Sequence, residues 1–174
     1  RRHFPYDEES ALRSGWSRAI AALQADATLS EVILSGGDPL SLSDRRLREL
    51  TDKLACIPHI RRLRIHTRYP VVLPARIDEE LLNWLQSLPI QRVIVIHANH
   101  PREIDEEVIA GCRALAAAGA TLLNQSVLLA GVNDSPDTLA ELSEALFAAG
   151  VLPYYLHMLD RVQGAAHFEV PIER

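Results

Sequence analysis

Sulfur is scarce in this chain: 174 residues hold two cysteines, Cys56 and Cys112, and one methionine, Met158. The two cysteines match no metal-ligand spacing and build no disulfide framework. A cystine-stapled secreted scaffold is therefore excluded, and a reducing cytosol is the expected setting. No apolar run approaches the roughly 20 residues that cross a bilayer. Charge of one sign is lacking too, because 18 basic and 23 acidic residues are interspersed to a net −5. Arg45, Arg46 and Arg48, and then Arg61, Arg62 and Arg64, read as solvated surface, so neither a nucleic-acid partner nor a membrane is expected. No methionine stands at the start, where the first residue is Arg1, so the chain reads as an excised piece of a longer protein.

What is present is a repeat. Short apolar, β-branched runs begin near Glu31, Arg62, Arg92, Thr121 and Leu152, at intervals of 29 to 31 residues. That period is the length of one strand–helix unit. Between the runs lie helical stripes: Leu47, Leu50 and Leu54; Leu81, Leu82 and Leu85; Val108, Ile109, Cys112 and Leu115; Leu139, Leu142 and Leu146. Asp78, Asp105 and Ser135 stand at N-cap positions, the last followed by Pro136. Gly119 and Gly150 stand where a left-handed C-cap closes a helix. A further helix, Glu8 to Gln24, is expected ahead of the first strand.

The order is α, then βα four times, then β. Val93-Ile94-Val95-Ile96 shows no polar alternation, as parallel strands covered on both faces require. The period alone permits a (βα) barrel or a doubly wound sheet. The strand ends favour the barrel, since each carries polar chemistry: Ser35-Gly36-Gly37-Asp38, His66-Thr67-Arg68, His97-Ala98-Asn99-His100, Asn124-Gln125-Ser126, and His157 with Asp160. In a barrel these ends meet at one mouth, whereas an open sheet spreads them along an edge. The expected fold class is therefore α/β: a partial (βα) TIM-like barrel of five parallel strands, one domain over residues 1–174.

Each ending has a plainer reading. Ser35–Asp38 can be only a tight turn with an aspartate cap. His66, His97 and His157 can be backbone-bonded histidines, or with Asp160 the ligands of a metal-dependent barrel hydrolase. Gln125 inside an apolar strand is harder to dismiss, because a buried amide needs partners.

Several strings together resemble the lysine 2,3-aminomutase family of radical S-adenosylmethionine enzymes. They are RRHFPY at 1–6, LSGGDPL at 34–40, HTRYPVVLPARI at 66–77, HANHPREI at 97–104, NQSVLLAGVND at 124–134 and PYYLHMLDRVQGAAHFEVP at 153–171. The opening string and DRVQGAAHF resemble most the bacterial branch that makes (R)-β-lysine for elongation factor P.

The resemblance implies an isomerase that moves the amino group of L-lysine from the α to the β carbon. It implies a [4Fe–4S] cluster, S-adenosyl-L-methionine and pyridoxal 5'-phosphate, which carry the chemistry while the protein positions substrate and excludes solvent. Ser35, Gly36, Gly37 and Asp38 match the motif that receives the amino group of S-adenosylmethionine. Gln125 matches a residue beside the same cofactor, and Arg68 and His97 are expected to share that role. Arg1 matches the arginine that grips the lysine carboxylate, a pairing that suits a guanidinium fork. Asp160 matches an aspartate that holds the far ammonium. A flavodoxin or ferredoxin reductant is implied, as is a ligase that uses the product on elongation factor P.

The departures from the family pattern are also informative. The cluster cysteines, spaced C-x3-C-x2-C, and the first barrel strand are expected before Arg1, and the pyridoxal phosphate lysine beyond Arg174. Cys56 and Cys112 lie in helical patterns without that spacing and cannot replace the cluster ligands. The piece alone is expected to be inactive. Three other readings stand beside this one: a related 2,3-aminomutase for another amino acid, a non-catalytic barrel whose S-adenosylmethionine site survives as a binding or structural remnant, and the metal-dependent hydrolase.

Overall fold

A computed structural model describes residues 16–160 and 162–171. Five strands form one sheet: β1 (Glu31–Leu34), β2 (Arg62–His66), β3 (Gln91–Ile96), β4 (Ala120–Val127) and β5 (Leu152–His157). All pairings are parallel and the spatial order is the sequence order. A doubly wound sheet would reverse its order at a switch point, and this one does not. It is a partial βα barrel. Each strand starts within one residue of its expected position.

The longer helices among the described residues are α1 (Ser17–Ala25), α2 (Asp44–Ala55), α3 (Glu79–Ser87), α4 (Glu106–Ala117) and α5 (Pro136–Ala148). Three of them start on side-chain caps that the sequence marks. Asp78 Oδ1 accepts from the Leu81 amide at 2.8 Å, Asp105 Oδ1 from Val108 at 2.9 Å, and Ser135 Oγ from Thr138 at 3.1 Å. Each satisfies an amide that the first helical turn leaves without an intrahelical acceptor. Of the helix expected over Glu8 to Gln24, the stretch up to Gly15 lies outside the described residues, and the described helix starts at Ser17. Cys56 differs from expectation: it sits just past the end of α2 and is exposed, whereas Cys112 is buried within α4.

The sheet has two unlike faces. Leu63, Ile65, Ile94, Ile96 and Leu122 pack outward against the helical stripes and Trp84. Trp84 is buried, and its indole N–H donates to Thr51 Oγ1 at 3.2 Å, so its burial leaves no polar atom stranded. The inner face carries the small apolar cluster Val93, Val95 and Leu123. Beside that cluster Arg64 is partly buried rather than solvated surface as expected: it donates to Glu31 Oε1 at 3.0 Å and to the Tyr155 hydroxyl at 3.3 Å. The second bond joins β2 to β5 across the interior, which only a strongly curved sheet permits.

At the opposite end from the mouth, Arg92 holds the turns into β3 and β4 together. Its guanidinium donates to the carbonyls of Leu88 at 2.9 Å and Gly119 at 3.3 Å. Gly119 has φ +85, and a Cβ there would stand 2.8 Å from Arg92 Nη2. The left-handed backbone favours glycine at this position, and a Cβ there would push the end of the Arg92 side chain aside.

Candidate active site

The β1–β2 ladder ends at Leu34 opposite Ile65, and Ser35, Gly36 and Gly37 run on past it. Gly36 and Gly37 have φ +94 and +58, two successive left-handed residues that only glycine adopts without strain. The turn then reaches Asp38, whose carboxylate is heavily used. Oδ1 accepts from the Leu40 amide at 3.0 Å and from Thr67 Oγ1 at 2.6 Å, and Oδ2 accepts from the Arg68 amide at 2.6 Å. Asp38 thus caps the single helical turn Pro39–Ser41 and fastens the end of β1 to the end of β2.

On β4 the alternation of a strand sorts three polar residues by face. Asn124 and Ser126 are buried and turned to the protein. Asn124 Oδ1 accepts from the Ala98 amide at 2.9 Å, and its Nδ2 donates to Ala98 O at 3.0 Å and Ser126 Oγ at 2.8 Å. Asn133 continues this web, donating to the carbonyls of Asn99 at 2.8 Å and Val127 at 3.0 Å. These amides replace the ladder where β3 and β4 diverge and satisfy one another's buried polar atoms. Gln125, between Asn124 and Ser126, lines the mouth.

The mouth is a cleft of about 840 Å³. Ser35, Gly36, Gly37 and Asp38 form one wall; Arg68, His97 and Gln125 follow around the strand ends, and Asp160 lies on the loop after β5. Every residue that the family resemblance assigns to cofactor or substrate lines this one cleft except Arg1, which lies outside the described residues. Asp160 is exposed and also borders a smaller hollow of about 340 Å³ under the 159–169 loop. His66 and His157 join the lining. The His66 and His97 rings meet edge to face at 5.9 Å, and His157 stacks on Tyr155 at 5.3 Å. His100, close to His97 in sequence, serves the backbone instead. Its Nδ1 accepts from the Arg102 amide at 3.1 Å and caps a short turn.

Thr67 is the site residue that sequence reasoning passes over. A threonine between His66 and Arg68 looks like any strand-end residue, and only the fold brings it to Asp38. Partial burial opposes the charge on Arg64, but the bond to Glu31 and its charge, then Tyr155, hold the guanidinium above its ordinary range. Among the described residues no group of three or more His, Cys, Asp or Glu side chains is arranged to hold a metal ion, so the hydrolase reading finds no donor set there. No described helix is long and apolar enough to cross a membrane.

The chain is 52% identical over 170 residues to L-lysine 2,3-aminomutase of Escherichia coli strain K12, a match that covers 98% of this chain and 50% of that protein. It is likewise 52% identical over 168 residues to the L-lysine 2,3-aminomutase of Haemophilus influenzae, covering 97% of this chain and 50% of the relative. The chain belongs to the lysine 2,3-aminomutase family. The Clostridium subterminale L-lysine 2,3-aminomutase is 43% identical over 158 residues, covering 90% of this chain and 38% of that protein. The chain spans about half the length of the first two of these aminomutases, or less of the third. No protein-family profile matches it. A solved tropomodulin C-terminal domain of Caenorhabditis elegans aligns at 16% identity with a TM-score of 0.31, too low to bear on fold or function.

The cleft's donor set fits the zwitterionic end of S-adenosylmethionine. Backbone carbonyls at a glycine turn and a carboxylate can accept from an ammonium, and a guanidinium and an amide can donate to a carboxylate. Its volume lies within the range of small-molecule sites.

Proposed function

We propose that the full-length protein is an isomerase that converts L-lysine to β-lysine by moving the amino group from the α to the β carbon. The supporting observation is the convergence of Ser35, Gly36, Gly37, Asp38, Arg68, His97, Gln125 and Asp160 on one cleft, in a chain of the lysine 2,3-aminomutase family. In this reading the turn at Ser35–Asp38 receives the ammonium of S-adenosylmethionine, while Gln125, Arg68 and His97 bind the rest of the cofactor. Arg1 takes the substrate carboxylate and Asp160 its distant ammonium. A negative Asp160 matches a cationic side chain and disfavours a glutamate-specific relative.

S-adenosylmethionine with a [4Fe–4S] cluster supplies one-electron chemistry that removes hydrogen from an unactivated carbon, and pyridoxal 5'-phosphate carries the migrating amino group. In this reading the full-length protein supplies the residues that anchor the cluster and the pyridoxal phosphate. A flavodoxin or ferredoxin supplies the electron in the cytoplasm. The product, (R)-β-lysine, passes to a ligase that modifies elongation factor P.

The test is an anaerobic assay of the full-length protein with cluster, pyridoxal phosphate, S-adenosylmethionine, dithionite and L-lysine. β-Lysine and 5′-deoxyadenosine are expected by chromatography and mass. Their absence from a fully reconstituted protein overturns the reading, and turnover of another amino acid in place of lysine transfers it to a related mutase.

A further inference from the structure

We propose that Thr67 is a positioning residue for the cleft: through Asp38 it fixes the Gly36-Gly37 turn. Thr67 is 1% exposed and directly follows β2. Its amide donates to the Val95 carbonyl at 3.0 Å, which anchors it to β3. Its hydroxyl accepts from the Tyr69 amide at 3.1 Å and lies 2.6 Å from Asp38 Oδ1. An amide can only donate, so the single hydroxyl proton goes to the carboxylate, a short charge-assisted bond of fixed direction.

Three donors from the chain itself then converge on Asp38: Thr67 Oγ1, the Leu40 amide and the Arg68 amide. Oδ1 carries two of them and Oδ2 one, so most lone-pair directions of the carboxylate are occupied by protein. Its charge is spent largely on holding β1 to β2 beyond the last ladder pair. The Ser35–Gly37 turn is hung between Leu34 at the ladder's end and Asp38. Two residues at positive φ give that turn conformational freedom, and the Thr67–Asp38 bond removes it. The turn meets the ligand with its backbone, and Asp38 contributes chiefly by setting where that backbone stands.

This rests on the reading of the cleft as an S-adenosylmethionine site only for its ligand readout. The experiment compares Thr67→Val and Thr67→Ser with the parent in the full-length protein, by equilibrium dialysis with S-adenosylmethionine and by residue-resolved amide hydrogen exchange. Thr67→Val keeps the shape and loses the hydroxyl. It is expected to weaken ligand binding by about 10-fold, as loss of one charge-assisted bond implies, and to speed exchange at Leu40 and Arg68 while β3 stays protected. Thr67→Ser restores the hydroxyl and is expected to stay within about 2-fold of the parent. Parent-like binding and exchange in Thr67→Val, or equal damage from both variants, overturns the proposal. If Thr67→Val does not fold, Thr67→Ala set against Thr67→Ser makes the same comparison without a methyl group in the hydroxyl's place. Should the parent itself fail to bind S-adenosylmethionine, the functional reading falls, and exchange at Leu40 and Arg68 still decides whether Thr67 holds the turn.

Discussion

Arg64 Nη1 donates to the hydroxyl of Tyr155 at 3.3 Å across the barrel interior, although 91 residues separate the two in sequence. The bond skips β3 and β4 and ties β2 directly to β5. It also holds the ring on which His157 stacks, so it links the inner face of the sheet to the lining of the cleft.

A double-mutant cycle measures this link. Tyr155→Phe is expected to cost about 0.5–1.5 kcal/mol, the net value of one hydrogen bond. Arg64→Met is expected to cost more, about 2 kcal/mol, because it leaves the partly buried Glu31 carboxylate with only its 4.0 Å contact to Arg62. In the double variant the two costs should fall short of their sum by about 0.5–1.5 kcal/mol. Strictly additive costs in denaturant unfolding would show that the bond contributes nothing.

Asn124 makes a sharper case, because it meets both the amide and the carbonyl of Ala98. Asn124→Leu matches it in size but takes the acceptor from the buried Ala98 amide and leaves the Ala98 carbonyl to Ser126 Oγ alone. A loss of about 2–4 kcal/mol of stability is expected. Ser126→Ala should cost less, since Asn124 still donates to Ala98 O. A stability order with Ser126→Ala the worse of the two would contradict this arrangement.

The 30-residue period, the caps at Asp78, Asp105 and Ser135, and Gly119 are local signals in the sequence, and local geometry follows them. Clustering of the strand-end residues is legible because a barrel has only one mouth. The Thr67–Asp38 bond, the web around Asn124 and the Arg64–Tyr155 bond join residues from different strands, and no spacing rule announces them. Asn124, Gln125 and Ser126 look alike in sequence, yet strand alternation sends only the middle one to the cleft. Trp84 is likewise absent from the expected stripe Leu81, Leu82 and Leu85, because a stripe read from aliphatic spacing overlooks an aromatic in its midst.

The two thiols should behave oppositely. Burial pushes the Cys112 thiol up to about 11 from its ordinary 9.0, whereas Cys56 is exposed. Because the folded form holds this proton more tightly, the contribution is fully present below about pH 9 and is lost as pH rises towards 11. Peptide-mapped alkylation at about pH 8 should label Cys56 and spare Cys112. Stability should decline between about pH 9 and 11 in the parent and decline less in Cys112→Ala. Rapid labelling of Cys112 under native conditions would contradict its burial.

Asp160 tests the substrate half of the proposed function. In the full-length protein Asp160→Asn keeps the shape and removes the charge that would face the lysine side chain. It should lower kcat/KM for β-lysine formation by about 30- to 1000-fold, the size of a lost charge-assisted contact. Release of 5′-deoxyadenosine without lysine should change far less. Near-parent β-lysine turnover would show that Asp160 is not a substrate clamp.

β4 and β5 fall out of step between Asn124 and Gln125, for Asn124 stands opposite Pro153 and Gln125 opposite Tyr155. Tyr154 is an extra beat in a structure that otherwise counts by twos. In an unbroken register Gln125 would meet Tyr154 and Val127 would meet Leu156, so a leucine would enter the mouth and His157 would turn towards the helices. The strand is thus written in two phases, and the chemistry of the mouth depends on the second. Removing Tyr154 would leave that second phase in place. One residue added after Tyr155 would instead exchange the sides of Leu156 and His157, and with them the chemistry the mouth presents.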